Sequence, residues 1–281
     1  MSLTTLIAQM RDLGIEPPDM DKMSVDGQLH RFGKKKNGWF ALHWFALDNG
    51  DQVLTGRFGD WKLGIDAKVS LDMPPLSDAE RRRFAAGQKE QALLAQQVKQ
   101  DKQREAASRA LTIWEKLPTD GYSPYLRRKK VVAFGIRFSR DSVVIPVYKA
   151  DGMLSGLQFI DAEGNKKFLT GSAVEGAFHT IGTIKPDGFV MLAEGYATGA
   201  SLYMAMGQQV PCVIAFNANN LEPVALVLRD TYPDIKIVLC ADNDDQTAGN
   251  PGLTKAVAAA KACNGKVVVP QQSKATPGVT A

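Results

Sequence analysis

Apolar positions change their spacing three times along the chain. Between residues 25 and 65, strand-length runs alternate apolar and polar side chains: QLHRFG, GWFALHWFAL and QVLTGRFGDWKLG. A period of two is that of a strand with one face buried. The turns KKKNG (Lys34 to Gly38) and DNG (Asp48 to Gly50) separate these runs, and Asn-Gly supplies the backbone freedom a tight hairpin needs. The spacing predicts a small β-rich unit over 1–75. After Pro74 and Pro75, Ser77-Asp78-Ala79-Glu80 reads as a capping box. The polar stretch that follows, basic at Arg81, Arg82 and Arg83 and rich in Gln and Lys, predicts a solvated spacer helix over 76–117.

Over 118–185 the pattern returns to short β-like runs broken by ADG and AEG turns, in SPYLRRKKVVAFGIRFSRDSVVIPVYKADGMLSGLQFIDAEGNKKFLTG. This predicts a basic, antiparallel, mostly β subdomain. Beyond residue 186 the runs GFVMLA, VPCVIAF, IKIVLCA and KVVVP are continuously apolar and separated by helix-length segments. Strands buried on both faces and alternating with helices form a mostly parallel sheet wrapped by helices. The fold class is therefore α/β, α+β overall, with the parallel domain over 186–281. No internal repeat is present.

Composition narrows the partners. The 281 residues are 44% hydrophobic, enough to bury a core of domain size. Apolar runs stop well short of the roughly 18 residues that span a bilayer, and MSLTTLIAQMRDLG carries charge where a signal peptide is apolar, so a cytoplasmic protein without membrane contact is expected. Cys212, Cys240 and Cys263 are scattered and odd in number, and form no CxxC pair, which argues against a disulfide framework or a zinc site. Of the net +4, the segment from Phe189 onward holds 6 Lys+Arg against 7 Asp+Glu, leaving 28 against 23 upstream. Basic residues upstream of an acidic cluster suit a polyanion held by one part and worked on by another.

Ligands of parallel sheets sit at the carboxyl ends of the strands. Here the first strand ends in Glu194-Gly195, the second in Asn217-Ala218-Asn219-Asn220, and the third in Asp242-Asn243-Asp244-Asp245. If the first and third strands are neighbours, Glu194, Asp242 and Asp244 converge, since residues two apart in extended chain point the same way. Carboxylate oxygens suit Mg²⁺ or Mn²⁺. Asp245 is a spare acid beside them.

Glu194-Gly195 after one strand, followed about fifty residues later by Asp242-x-Asp244, resembles the TOPRIM domain shared by bacterial-type primases, type IA and II topoisomerases and some nucleases. Upstream, Tyr125-Leu126-Arg127-Arg128-Lys129, GIRF, VVIPVYKADGMLSGLQFIDAEGNKKFLTG and Lys167-Phe168-Leu169 are similar to the segment that precedes TOPRIM in primases. Ala193 to Thr198 and Asn220 to Ala225 look like the primases of plasmids, phages and integrative elements. Four departures stand out: no Cys/His set forms the family's zinc ribbon, no helicase segment is expected to follow, Thr198 stands where cellular primases place an acid, and QQSKATPGVTA is free of acids.

The resemblance implies a primase core that joins nucleoside triphosphates into primers on a single-stranded DNA template, with a replicative helicase as a further partner. Asp242 and Asp244 would hold the metal, with Glu194 a ligand or general base and Asp245 in reserve. Arg127, Arg128, Lys129, Lys167, Asn217 and Asn220 would contact nucleotide or DNA. Two other readings remain open, a TOPRIM nuclease and a non-catalytic single-stranded-DNA-binding replication accessory.

Overall fold

The computed structural model describes residues 3–69, 77–241 and 250–269. By internal packing the chain divides into a unit of residues 1–96 and a unit of residues 97–281.

In the first unit, helix α1 (Leu3–Asp12) precedes four strands, β1 (His30–Phe32), β2 (Gly38–Ala46), β3 (Gln52–Asp60) and β4 (Ile65–Lys68), in an antiparallel sheet of that order. The KKKNG and DNG turns fall where expected. Register pairs Phe40 with Phe58 and Leu42 with Gly56. Phe40, Leu42, Leu54 and Phe58 meet Leu6 and Met10 of α1 in one core, each such burial stabilising by about 1.5–3 kcal/mol. The sequence reading, centred on strands, overlooks α1; its apolar Leu3, Leu6, Ile7 and Met10 recur at helical spacing.

Helix α2 (Asp78–Lys116) begins at the expected capping box: Glu80 N–H donates to Ser77 Oγ (3.2 Å), and Ser77 N–H to Glu80 Oε2 (2.8 Å). The Asp48 N–H adds a further bond to Glu80 Oε1 (2.8 Å), and these backbone donors hold the Glu80 carboxyl below its usual range. Far along its length α2 departs from a solvated spacer. Ala106 and Ala110 are fully buried, and Ile113 and Trp114 pack on Val144 and Leu157, because small alanines let the last turns approach a sheet.

That sheet consists of β5 (Arg137–Ser139), β6 (Ser142–Tyr148), β7 (Leu154–Ile160) and β8 (Lys166–Phe168), antiparallel in chain order. The YLRRK segment before it forms a short helix, α3 (Pro124–Lys129), rather than extended chain. Ser123 Oγ caps it by accepting from Leu126 N–H, Pro124 opens it, and Lys130 ends it in the left-handed region.

The remaining strands are β9 (His179–Ile181), β10 (Phe189–Ala193), β11 (Cys212–Ile214), β12 (Lys236–Cys240) and β13 (Lys266–Val268). Their order is β13-β12-β10-β11-β9, with every pairing parallel except that of the edge strand β9. Helices α4 (Tyr196–Ala205), α5 (Leu221–Thr231) and α6 (Pro251–Cys263) connect the parallel strands. Alternation assigns the faces. Met191, Ala193, Cys212 and Ile214 share a core with Tyr196 and Ala200 of α4 and with Val143, Ile145 and Val147 of β6. Val190, Leu192, Val213, Ile237 and Leu239 pack instead on α5 and α6. At Gly199 a Cβ would meet Ile214 Cδ1 at 2.1 Å, so glycine lets α4 lie directly on β11. No helix among the described residues is long and apolar enough to cross a membrane.

Candidate active site

The condition set by the sequence reading holds: β10 and β12 are direct neighbours. Ala193 is in register with Cys240, and Ala241 N–H donates to Val268 O at 3.0 Å on the far side. The chain therefore delivers Glu194, half-buried, at the same sheet edge at which β12 ends. Asp242, Asp244 and Asp245 come next in sequence and lie outside the described residues.

Beside Glu194 opens a cavity of about 360 Å³, lined by Tyr125, Arg128, Lys129, Lys166, Gly195 and Thr198 among others. Its walls come from three elements. Gly195 stands at the N-terminus of α4, where the helix dipole is positive. A Cβ there would lie 3.3 Å from Lys166 Nζ, so the ammonium sits directly over the turn that follows Glu194. Arg128 and Lys129 reach the cavity from α3, and Arg128 Nη1 is steadied by donating to Ala162 O (2.8 Å). Glu163 is the acid among the lining residues. Cationic side chains and a helix N-terminus make a pocket for an anion, next to a carboxylate suited to a cation.

Buried tyrosines hold this arrangement together. The Ala197 N–H at the start of α4 donates to the hydroxyl of Tyr125, whose pKa is nonetheless raised because burial disfavours the phenolate. Tyr196 Oη accepts from Phe134 N–H (2.6 Å) and donates to Val132 O (3.2 Å); burial pushes that phenol up as well. His179 on β9 bonds through Nε2 to Phe134 O (3.0 Å), and burial lowers its pKa to about 4, so the ring stays neutral and ties without adding charge. These bonds fasten α3 and the segment after it to the parallel domain, which fixes Arg128 and Lys129 relative to Glu194.

The other expected residues fall in different places. Arg127 is exposed on α3 but does not line the cavity. Lys167 is in register with Phe159, whose face packs against α2, whereas its neighbours Lys166 and Phe168 share the opposite face, Phe168 meeting Phe216 edge-on at 5.7 Å. Lys166, not named from the sequence, is thus the lysine of this strand that reaches the cavity. The signal was available in Lys-Lys-Phe: burying Phe168 on the domain side carries Lys166 with it. Asn217 caps the turn after β11, accepting from Asn220 N–H at 3.1 Å. Asn220 is buried, donating through Nδ2 to Ala177 O and Ala215 O (2.9 Å each) and accepting from Gly176 N–H (2.8 Å).

Residues 189–275 match the Toprim domain family. Two curated relatives from Escherichia coli, each described as DNA primase TraC, are 32% identical over 262 residues and 31% identical over 258. The alignments take in 89% and 88% of this chain but 18% and 24% of the relatives, so the chain spans a quarter or less of their length. Among solved structures, the primase fragment of the bacteriophage T7 primase-helicase protein aligns with a TM-score of 0.38 at 16% identity, over 49% of this chain and 57% of that one. The DnaG primase catalytic domain bound to ssDNA aligns at 0.35 and 14%, over 49% and 47%.

Proposed function

We propose that this Toprim-domain chain, similar over most of its length to plasmid-type DNA primases, is a primase catalytic core that makes short primers on single-stranded DNA during mobile-element replication. The observation that carries the reading is the juxtaposition of the β10 carboxylate Glu194 with the cationic cavity of Arg128, Lys129 and Lys166. Sequence kinship across the basic subdomain as well as the Toprim domain favours a primase over a nuclease.

Toprim domains bind divalent metals, and the donor set fits one: Glu194 at the end of β10 and, directly after the adjacent β12, three aspartates, all hard oxygen ligands. Glu194, Asp242 and Asp244 would hold Mg²⁺ or Mn²⁺, with Asp245 in reserve. When bound, the ion neutralises charge developing on a transferring phosphoryl group. The chain's own residues do the rest. Lys166 and Arg128 grip the triphosphate, Arg in a fork and Lys as a point charge, and so align its α-phosphorus with the primer 3′-hydroxyl, whose attack breaks the α–β anhydride bond and releases pyrophosphate. The positive end of α4 favours the extra negative charge of the transition state. Glu194 serves as a ligand or takes the hydroxyl proton. Lys129 contacts the nucleotide or template and Arg127 and Lys167 the template, with Asn217 and Asn220 holding the turn after β11 in place. Nucleoside triphosphates, single-stranded DNA and a replicative helicase are the partners in this reading, and the cytoplasm its place.

Incubating the protein with single-stranded DNA, labelled nucleoside triphosphates and Mg²⁺ or Mn²⁺ tests the proposal. Short labelled products complementary to the template are expected. Cut DNA without synthesis would assign a nuclease instead, and retention of DNA without either product would assign a binding accessory.

A further inference from the structure

The sheet of the N-terminal unit has two faces, and α1 covers one. On the other, Arg31, Trp39 and Gly59 lie side by side across β1, β2 and β3. Trp39 is 8% exposed and rests over Gly59, where a Cβ would come within 2.9 Å of its ring. Trp61 stacks on Trp39 with centroids 5.8 Å apart and planes 25° from parallel, yet remains 48% exposed. The Arg31 guanidinium lies over the Trp61 ring at 4.4 Å.

Positive charge gathers at the same end. Trp61 N–H donates to Asn37 O (3.1 Å), which ties the β1–β2 turn, with Lys34, Lys35 and Lys36 all exposed, to the tryptophan. Lys62 follows, also exposed. The neighbouring Asp60 accepts through Oδ1 from the N–H groups of Lys62 and Leu63 (2.7 and 3.0 Å), so that oxygen holds the turn. A separate observation points to an occupant: Trp39 Nε1 is buried and has no acceptor among the described residues. A buried donor left unmet is costly and calls for a partner from outside.

We propose that this end of the sheet is a second nucleic-acid site, which holds single-stranded DNA. A base stacks on the Trp61–Arg31 pair, the four lysines face the adjoining phosphates, and the Trp39 N–H meets an oxygen of the strand. Unstacked bases offer the ring faces this needs, and stacking tolerates any sequence. Three consecutive lysines favour a polyanion over an apolar partner. The inference rests on the reading that the chain works on single-stranded DNA, and it names where the strand is gripped.

Fluorescence anisotropy of the full chain with a labelled oligothymidylate, and with an abasic oligomer of equal length and charge, separates stacking from charge. Trp61→Ala is expected to weaken oligothymidylate binding about 5- to 100-fold and to leave abasic binding unchanged, with Trp61→Phe recovering part of the loss. Substituting Lys34, Lys35 and Lys36 by Ala should lower affinity for both oligomers and flatten the salt dependence. Equal affinities for wild type and a folded Trp61→Ala variant would overturn the proposal, as would equal losses on the two oligomers. Because the readout is binding, the result stands apart from whether primers are made.

Discussion

Glu194→Gln is expected to lower primer synthesis by about 10²- to 10³-fold or more, the scale set by removing one preorganised electrostatic contact from a reaction centre, while DNA retention stays at the wild-type level. The substitution keeps the size and shape of the side chain and removes one negative charge. Glu194 follows directly on Ala193, which is fully buried in the centre of the sheet and in register with Cys240, so the backbone that presents it has little freedom to compensate. Denaturing electrophoresis of labelled products measures the loss, and near-normal product from a folded variant would remove Glu194 from the chemistry.

The second large effect falls on the cationic wall. Replacing Arg128 and Lys166 together by Ala should lower kcat/KM for nucleoside triphosphate by about 10- to 100-fold, because charge-assisted hydrogen bonds to phosphate are each worth about 1.5–3 kcal/mol and these two groups keep solvent access that screens part of that. Arg127→Ala and Lys167→Ala provide the contrast. Arg127 is off the cavity and Lys167 occupies the opposite face of β8, so each should leave nucleotide kinetics near wild type while a role on the template would appear as weaker, less salt-dependent DNA binding. Steady-state kinetics with varied nucleotide distinguish the two pairs. Equal effects from all four positions would mean that the cavity does not select the nucleotide.

Much of this architecture was legible in the sequence, for identifiable reasons. The runs around Val190, Val213 and Leu239 are apolar on both faces, which is the mark of strands covered by helices on either side. The adjacency of β10 and β12 was a condition rather than a reading, since strand order depends on how crossovers pack and leaves no local trace. At β8 the alternation in Lys-Lys-Phe places Lys166 on the face of Phe168, and the contact of Phe168 with Phe216 shows that this is the face turned to the parallel domain. Helix α1 was missed because Leu6 and Met10 announce a helix only weakly in ten residues. The burial of Ala106 and Ala110 was hidden for a different reason: alanine suits a solvated helix and a close helix–sheet contact equally well. The cavity's dependence on Tyr125 and Tyr196 was also invisible, because a tyrosine in an apolar setting does not reveal which backbone group its hydroxyl will reach.

In the proposed function, Glu194 and the aspartates after β12 act as one divalent-metal centre. Thermal denaturation with and without millimolar Mg²⁺ or Mn²⁺ tests it most directly, because an ion that binds only the folded protein raises its Tm by mass action. The wild type should gain a clear increase in Tm, and Glu194→Gln and Asp244→Asn should each lose most of it. The same metal-induced shift in wild type and both variants would show that these carboxylates do not share an ion, and would contradict the account.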